Sequence, residues 1–345
     1  PYYKKNVVMS RIISILFFTF EVLKISYTEK LLRKKTSIFL TNYSLPLTFF
    51  ISILSIGFRF KYFIDARDLF VDGFTTNLLL KSKKSKYKII LYLFVFLLSV
   101  PLFFLETISF LFSKEIFVTS EGYIKPIKIR TLFIKSPIYL PIGISQNNHF
   151  YLNKQDSISK KNTSVKKSSF VYCGYLDTVF DASSIEVFAN FLKNNKKIFK
   201  EVKVKLFGNS EAHLNLTKRY EFISSAFVPK QDMLFEMIDY SWGIYPSSSY
   251  YPFNAILGNK IFDYIQSGLP IISIGSKCNA SEFIEKNKIG FHIDVKNESE
   301  EKFIKTFKCK VKNYRSYKRN IDKIISSNQY KSNYEELANI LLGNM

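Results

Sequence analysis

Asn259, Lys260 and Asp263 carry the densest chemistry in the sequence. They lie within Gly258-Asn259-Lys260-Ile261-Phe262-Asp263-Tyr264-Ile265-Gln266-Ser267-Gly268-Leu269-Pro270-Ile271-Ile272, which reads as a Gly-containing loop, a short helix, a Gly terminator and a Pro opening a buried strand. A helix start at the carboxyl end of a parallel sheet offers unpaired backbone N–H groups and a dipole that favours negative charge, so it suits a diphosphate. Asp263 falls one turn after Asn259 on the same face, where a carboxylate can accept hydrogen bonds from two ribose hydroxyls. Each assignment competes with a plainer one. Asp263 also fits a surface carboxylate on an ordinary helix, and Lys260 a solvated lysine.

Other chemistry is sparsely supported. Cys173, Cys278 and Cys309 are far apart, and so are His149, His213 and His292, so neither zinc-ligand spacing nor a disulfide framework is present and a reducing compartment fits. No GxSxG elbow, P-loop, GxGxxG or HExxH occurs. Arg67 and Asp68 follow a strand pattern and read either as a buried ion pair or as functional groups. Glu121 stands at a helix start, where capping competes with a functional role. The mixture Tyr314, Arg315, Tyr317, Lys318 and Arg319 has helical spacing and reads as a solvated face, not a nucleic-acid module.

The elements that must position these residues alternate. In the second half, strands are expected at Phe170–Cys173, Val202–Phe207, Phe222–Ala226, Trp242–Tyr245, Pro270–Ile274 and Gly290–Ile293, with helical spacing between them near Gln231–Asp239, Asn259–Ser267 and Ser281–Asn287. This is the signal of a parallel sheet. Lys203 and Lys205 alternate with Val202, Val204 and Leu206, which predicts a partly solvated side near a sheet edge. The first half repeats the theme with strands at Ser37–Thr41, Lys61–Asp65, Lys114–Thr119 and Pro137–Pro141. Asn297 and Glu300 form a candidate N-cap pair for a basic helical tail. The expected division is an N-terminal α/β domain over 1–145, a polar linker over 146–169, a C-terminal ligand-binding domain over 170–326 and a helix over 327–345.

The chain has 345 residues, 47% of them hydrophobic, with 50 Lys plus Arg against 28 Asp plus Glu, which exceeds one core and excludes disorder. The net charge of +22 favours an anionic partner, although the Lys-, Ile- and Asn-rich usage of an AT-rich coding sequence raises it regardless of function. Ile89–Leu105 carries no charge and follows Lys81, Lys83, Lys84, Lys86 and Lys88. Such a pattern is long enough for a membrane span. The strands on either side must share one sheet, so the preferred reading is a helix partly in the core and partly in the interface, with its lysines on anionic headgroups. Val8–Ile25 is a second apolar helix of this kind.

Taken together, the motifs resemble those of GT-B nucleotide-sugar glycosyltransferases, particularly the family 4 members that build bacterial surface polysaccharides. The Asn259–Pro270 block is similar to their donor-site signature. Phe170–Leu176 with Gly174 resembles the first strand and Gly turn of their C-terminal domain, and Lys205–Asn209 with Gly208 the second; Phe227-Val228-Pro229 resembles the segment before the helix at the base pocket. Upstream, Ile64–Leu69, Thr119–Gly122 and Leu140–Ile144 match further landmarks in order.

The resemblance implies an α/β chain of two Rossmann-like domains facing a cleft, with one or two initial N-terminal units missing. It implies a retaining, metal-independent glycosyl transfer without cofactor, from a nucleotide diphosphate sugar to a lipid-linked or saccharide acceptor; the basic, apolar first half suggests that the acceptor is lipid-linked and presented at the cytoplasmic face of the membrane. It places Gly174, Gly208, Val228, Asn259, Lys260 and Asp263 on the donor, Lys260 beside the leaving group, and Arg67, Asp68 and Glu121 toward the acceptor; no nucleic acid is expected. The chain departs from the pattern at Ala255, where the family often has a sugar-contacting Glu, at Asp263 where it has Glu, and after Gly174, where its cations are not evident. A degenerate GT-B protein that binds a membrane surface without transfer is the alternative.

Overall fold

A computed structural model describes residues 7–29, 37–41, 45–82, 86–141, 169–174, 176, 181–195, 202–208, 210–225, 228–295, 299–327, 337, 339 and 340. The chain divides into two compact units, Pro1–Leu140 with Glu335–Met345, and Pro141–Tyr334. The expected linker over 146–169 lies outside the described residues except for Ser169, which begins a strand. The expected tail helix over 327–345 also lies largely outside them.

The first unit runs α1 (Val7–Thr28), β1 (Ser37–Thr41), α2 (Leu45–Phe58), β2 (Lys61–Ala66), α3 (Phe70–Ser82), α4 (Lys88–Phe112), β3 (Glu115–Val118), a short turn Glu121–Tyr123, α5 (Ile124–Arg130) and β4 (Ile138–Tyr139). Its four strands are parallel in sequence order. β2 is buried from Tyr62 to Ala66, as its run of β-branched and aromatic residues requires of a strand covered on both faces. The segment Lys88–Phe112 is one helix with Pro101 inside it, and it is long and apolar enough to cross a membrane by length and composition. α4 buries Val95, Glu106, Ser109 and Phe110 and leaves Ile89, Ile90, Leu93, Phe96, Leu97 and Phe104 exposed.

One polar cluster holds α4 to its neighbours. The buried guanidinium of Arg130 on α5 donates to Asp72 on α3 and to Glu106 on α4, and stacks 4.6 Å from the Phe103 ring. Burial pushes the Glu106 carboxyl up from 4.5 to about 7 and Asp72 pushes the same way, while Arg130 opposes them. The arrangement is conditional in energy, because removing one partner would strand a buried charge.

The second unit contains β5 (Ser169–Cys173), α6 (Asp181–Asn194), β6 (Lys203–Phe207), α7 (Glu211–Tyr220), β7 (Ile223–Ser225), α8 (Lys230–Met237), β8 (Trp242–Ser247), α9 (Asn259–Gln266), β9 (Ile271–Gly275), α10 (Asn279–Lys286), β10 (Gly290–Ile293), α11 (Glu300–Val311) and α12 (Tyr314–Ser326). The all-parallel sheet has the order β10-β9-β8-β5-β6-β7. Alternate residues of β5 face opposite layers: Val171 and Cys173 pack with Ile261, Tyr264 and Ile321, whereas Phe170 and Tyr172 pack with Phe188, Leu206 and Phe307.

Two expectations are corrected. β6 lies beside the edge strand β7 and Lys203 is exposed as expected, but Lys205 on the same face is buried: its ammonium donates to Glu236 on α8, which covers it, and lies 4.7 Å from the Phe207 ring. The cap of α11 is Ser299, whose hydroxyl accepts from the Lys302 amide at 3.4 Å; Asn297 lies outside the described residues.

The Arg130 cluster makes stability depend on pH. A carboxyl raised in the folded state contributes stability that is present below 4.5 and lost as pH rises through about 7. Compared with Glu106→Gln, the parent should lose stability across that window with a slope approaching about 1.4 kcal/mol per pH unit in denaturant titrations. A difference that does not change with pH would show that Glu106 does not titrate there.

Candidate donor site of the second unit

The strand order reverses between β5 and β8, since β6 and β7 extend to one side and β9 and β10 to the other. Such a switch point opens a crevice at the carboxyl ends of its two strands, where open α/β sheets bind ligands. β5 and β8 pair through Phe170 with Trp242 and Val171 with Gly243, and the pairing then stops. Into this opening reaches the fully buried hydroxyl of Tyr264 on α9. It donates to the Ile244 carbonyl at 2.8 Å, accepts from the Cys173 amide at 3.2 Å and lies 3.4 Å from the Val171 carbonyl. Gly243 makes the approach feasible, because a Cβ there would stand 2.5 Å from Cγ of the Tyr264 ring.

With Tyr264 so placed, the start of α9 comes over the end of β5. The helix is entered from Gly258, which offers no capping side chain. Asn259 is exposed, while Lys260 turns back across Gly174: its Nζ donates to the Tyr172 hydroxyl at 2.9 Å and sits 4.7 Å from that ring's centroid. Gly174 has φ +127°, and a Cβ on it would meet Cε of Lys260 at 2.5 Å. Both the backbone angle and the close approach require glycine here. Lys260 is thus a half-buried, directed cation and not a solvated one.

Beneath this turn lies a histidine that sequence reasoning left among scattered ones. Ser210 caps α7, accepting from the His213 amide at 3.3 Å, and its hydroxyl lies 2.6 Å from Nδ1 of His213. The ring is buried 6.0 Å from that of Tyr172, and a Cβ on Gly208, at φ +149°, would meet it at 2.6 Å and the Gly174 carbonyl at 2.5 Å. Burial holds the imidazole pKa below its usual value; the backbone carbonyls of Phe207 and Gly174 oppose this and Lys260 adds to it. Ser210-x-x-His213 directly after a Gly turn is the signal that points to this placement.

Asp263 faces another side of α9. It is buried, its Oδ1 accepts from Lys230 Nζ at 2.8 Å at the start of α8, and burial raises its pKa against the pull of Lys230. Val228, two residues before Lys230, packs on the same core cluster. The structure therefore brings Gly174, Gly208 and Lys260 into one constellation with Tyr172 and His213, and sets Asp263 beside Lys230 and the Val228 segment. Cys173, between them, has its thiol pushed up to about 12 by burial and then by Asp263, so it is no nucleophile.

In the first unit, Arg67 is 63% exposed at its side chain and its Nε donates to buried Asp65 at 2.7 Å. Its ion-pair partner is therefore Asp65 at the end of β2, and the expected buried Arg67–Asp68 pair is not what forms. Asp68 accepts from the Tyr123 hydroxyl at 3.5 Å, and the Thr119 hydroxyl donates to the Arg67 carbonyl at 3.2 Å. Glu121, exposed, begins the turn that carries Tyr123. All lie at the carboxyl ends of β2 and β3.

Two Rossmann-like units, each a parallel sheet, define an α/β chain of the GT-B fold. Solved structures agree. A UDP-forming α,α-trehalose-phosphate synthase from Burkholderia xenovorans superposes with a TM-score of 0.63 at 10% identity, over 99% of this chain and 80% of that one. The Anabaena Alr3699/HepE protein in complex with UDP gives 0.59 at 12% identity, over 94% and 81%. A glycosyltransferase from Rickettsia africae gives 0.58 at 11% identity, over 100% and 84%. No protein-family model and no curated protein matches the sequence.

The Tyr264 bridge sets the position of α9, so its loss should register in stability. Tyr264→Phe leaves the Cys173 amide and Ile244 carbonyl without their buried partner and should cost about 1–3 kcal/mol in urea unfolding. Gly243→Ala, which forces a methyl into the ring, should cost at least about 2 kcal/mol. Two near-neutral results would mean that α9 is held by other contacts.

Proposed function

We propose that the chain is a retaining glycosyltransferase that moves a sugar from a nucleoside diphosphate sugar to a lipid-linked acceptor, in surface polysaccharide biosynthesis at the cytoplasmic face of the membrane. The observation that carries the reading is the Lys260 ammonium, held by Tyr172 above Gly174 at the switch point and at the start of α9. Negative charge grows on the β-phosphate as the glycosidic bond breaks, and a fixed cation beside helix-start amides stabilises that charge without a metal. Asp263, facing the Val228 segment, would receive the ribose, displacing its contact with Lys230. Uridine is the favoured base: the Burkholderia neighbour is a UDP-forming synthase, and the Anabaena protein is seen with UDP and with UDP-glucose.

The lipid acceptor is supported by the exposed apolar ridge of α4, with Lys86 and Lys88 at its start. β2 and β3 pair in register at the two ends of the α3–α4 crossover, which favours a helix lying in the interface over one spanning the bilayer. Arg67, Asp68 and Glu121 are assigned to the acceptor side.

A degenerate, binding-only protein is the second reading, and Ala255 favours it: a methyl stands where the resembling family often has a carboxylate on the sugar. Kinetics and calorimetry separate the two. Lys260→Ala should lower turnover by about 100- to 1000-fold and donor affinity far less, because the charge it meets develops in the transition state. Asp263→Ala should instead weaken uridine diphosphate binding by about 1.5–3 kcal/mol. Unchanged turnover in the first would return Lys260 to a structural role. Uridine diphosphate binding without transfer in the parent would leave the binding-only reading.

A further inference from the structure

Helix α5 ends in a turn that its residues make costly. Leu132 and Phe133 follow the Thr131 cap with φ of +50° and +62°. The Phe133 amide donates to the Lys128 carbonyl at 2.7 Å and the Leu132 amide to the Ile129 carbonyl at 3.1 Å, the paired bonds of a Schellman termination. In that motif the residue after the cap is usually glycine, because a Cβ is strained in the left-handed region. Here it is leucine, followed by a phenylalanine with the same strain. The turn is nonetheless fixed, since the amides of Thr131 and Ile134 are also bonded, to the Ile127 and Thr131 carbonyls.

Leu132, Phe133 and Ile134 are 77%, 71% and 69% exposed. Three adjoining bulky apolar side chains on a strained but hydrogen-bonded turn are not scattered surface residues. Lys125 and Lys128 flank them on α5, and Lys135 on the far side donates to the Ser113 carbonyl, tying the turn to the end of α4. There the exposed ring of Phe112 continues into the ridge of α4.

We propose that the Leu132-Phe133-Ile134 turn is a wedge that inserts into the acyl boundary of an anionic bilayer, with Lys125 and Lys128 meeting the headgroups. The cations beside an apolar tip give the charge complementarity, and a protruding tip of three side chains suits a fluid interface that needs no shaped pocket. The wedge rests on the membrane-surface reading above and is independent of sugar transfer.

The test uses the whole chain and vesicles of phosphatidylglycerol with phosphatidylcholine. Leu132→Gly relieves the left-handed strain and removes one inserted side chain, so its two effects have opposite sign. Its melting temperature should rise by about 2 °C, and its vesicle affinity should fall by about tenfold. In Phe133→Trp, bromine-labelled acyl chains should quench the new indole, whereas the native Trp242 is fully buried. If the parent binds vesicles while Leu132→Gly binds equally well and the new indole is unquenched, the wedge is wrong and the membrane reading stands. If the parent does not bind vesicles, both fail. Conversion of a sedimenting dimer to monomer by Leu132→Gly would overturn the wedge in favour of a contact between copies.

Discussion

The ring of Tyr264 occupies the space that Gly243 leaves by having no side chain, and the geometry of the second unit's site follows from that contact. Its hydroxyl serves backbone groups of both β5 and β8 where the two strands stop pairing, so one side chain closes the polar gap that a switch point opens. The same contact fixes the azimuth of α9. Residues Ile261 to Gln266 are all buried, leaving Asn259 and Lys260 at the open end. From there Lys260 has one glycine to cross and one phenol to meet. The two left-handed glycines at 174 and 208 stack against each other and against His213, so the floor of the crevice is built by close backbone approach and not by large side chains.

The first unit solves a different problem. α4 has far more apolar surface than α2 and α3, which pack against it, can cover, and a helix of that composition could lie in several rotations. Arg130 removes the ambiguity, because one buried guanidinium must meet Glu106 and Asp72 together. Only one face of α4 allows this, and the remainder is left outward. The strained end of α5, on the same short helix as Arg130, faces solvent with apolar residues too. The polar anchor and the apolar exterior are thus complementary: one sets the orientation of α4 and the other is the face left exposed.

Much of this was legible in the sequence. Ser37–Thr41 and Gly290–Ile293 match the expected strands residue for residue, because buried parallel strands are short β-branched runs set between polar turns. The Gly258–Ile272 block announced its loop, helix and strand through Gly and Pro placement. What stayed hidden depends on distant chain. Lys205 reads as solvated by alternation until Glu236, on a helix three elements later, is placed over it. Arg67 is followed by Asp68 in sequence, yet strand geometry sends its guanidinium back to Asp65. Tyr172 lies in a strand motif and His213 follows a Ser cap, but neither pattern shows that the two rings meet, which follows from the approach of β5 to β6. Strand order, which creates the switch point, is a pairing property that local pattern does not encode.

A nucleoside diphosphate held in the crevice between the ends of β5 and β8, at the start of α9, is what the proposed function most needs. Hydrogen–deuterium exchange with and without uridine diphosphate measures this most directly, because amides that bind phosphate oxygens exchange more slowly. Slower exchange is expected in peptides spanning 172–176 and 257–262, with smaller changes near 228–230 where Lys230 would leave Asp263. Protection confined to other strand ends, or no change at saturating nucleotide, would contradict it.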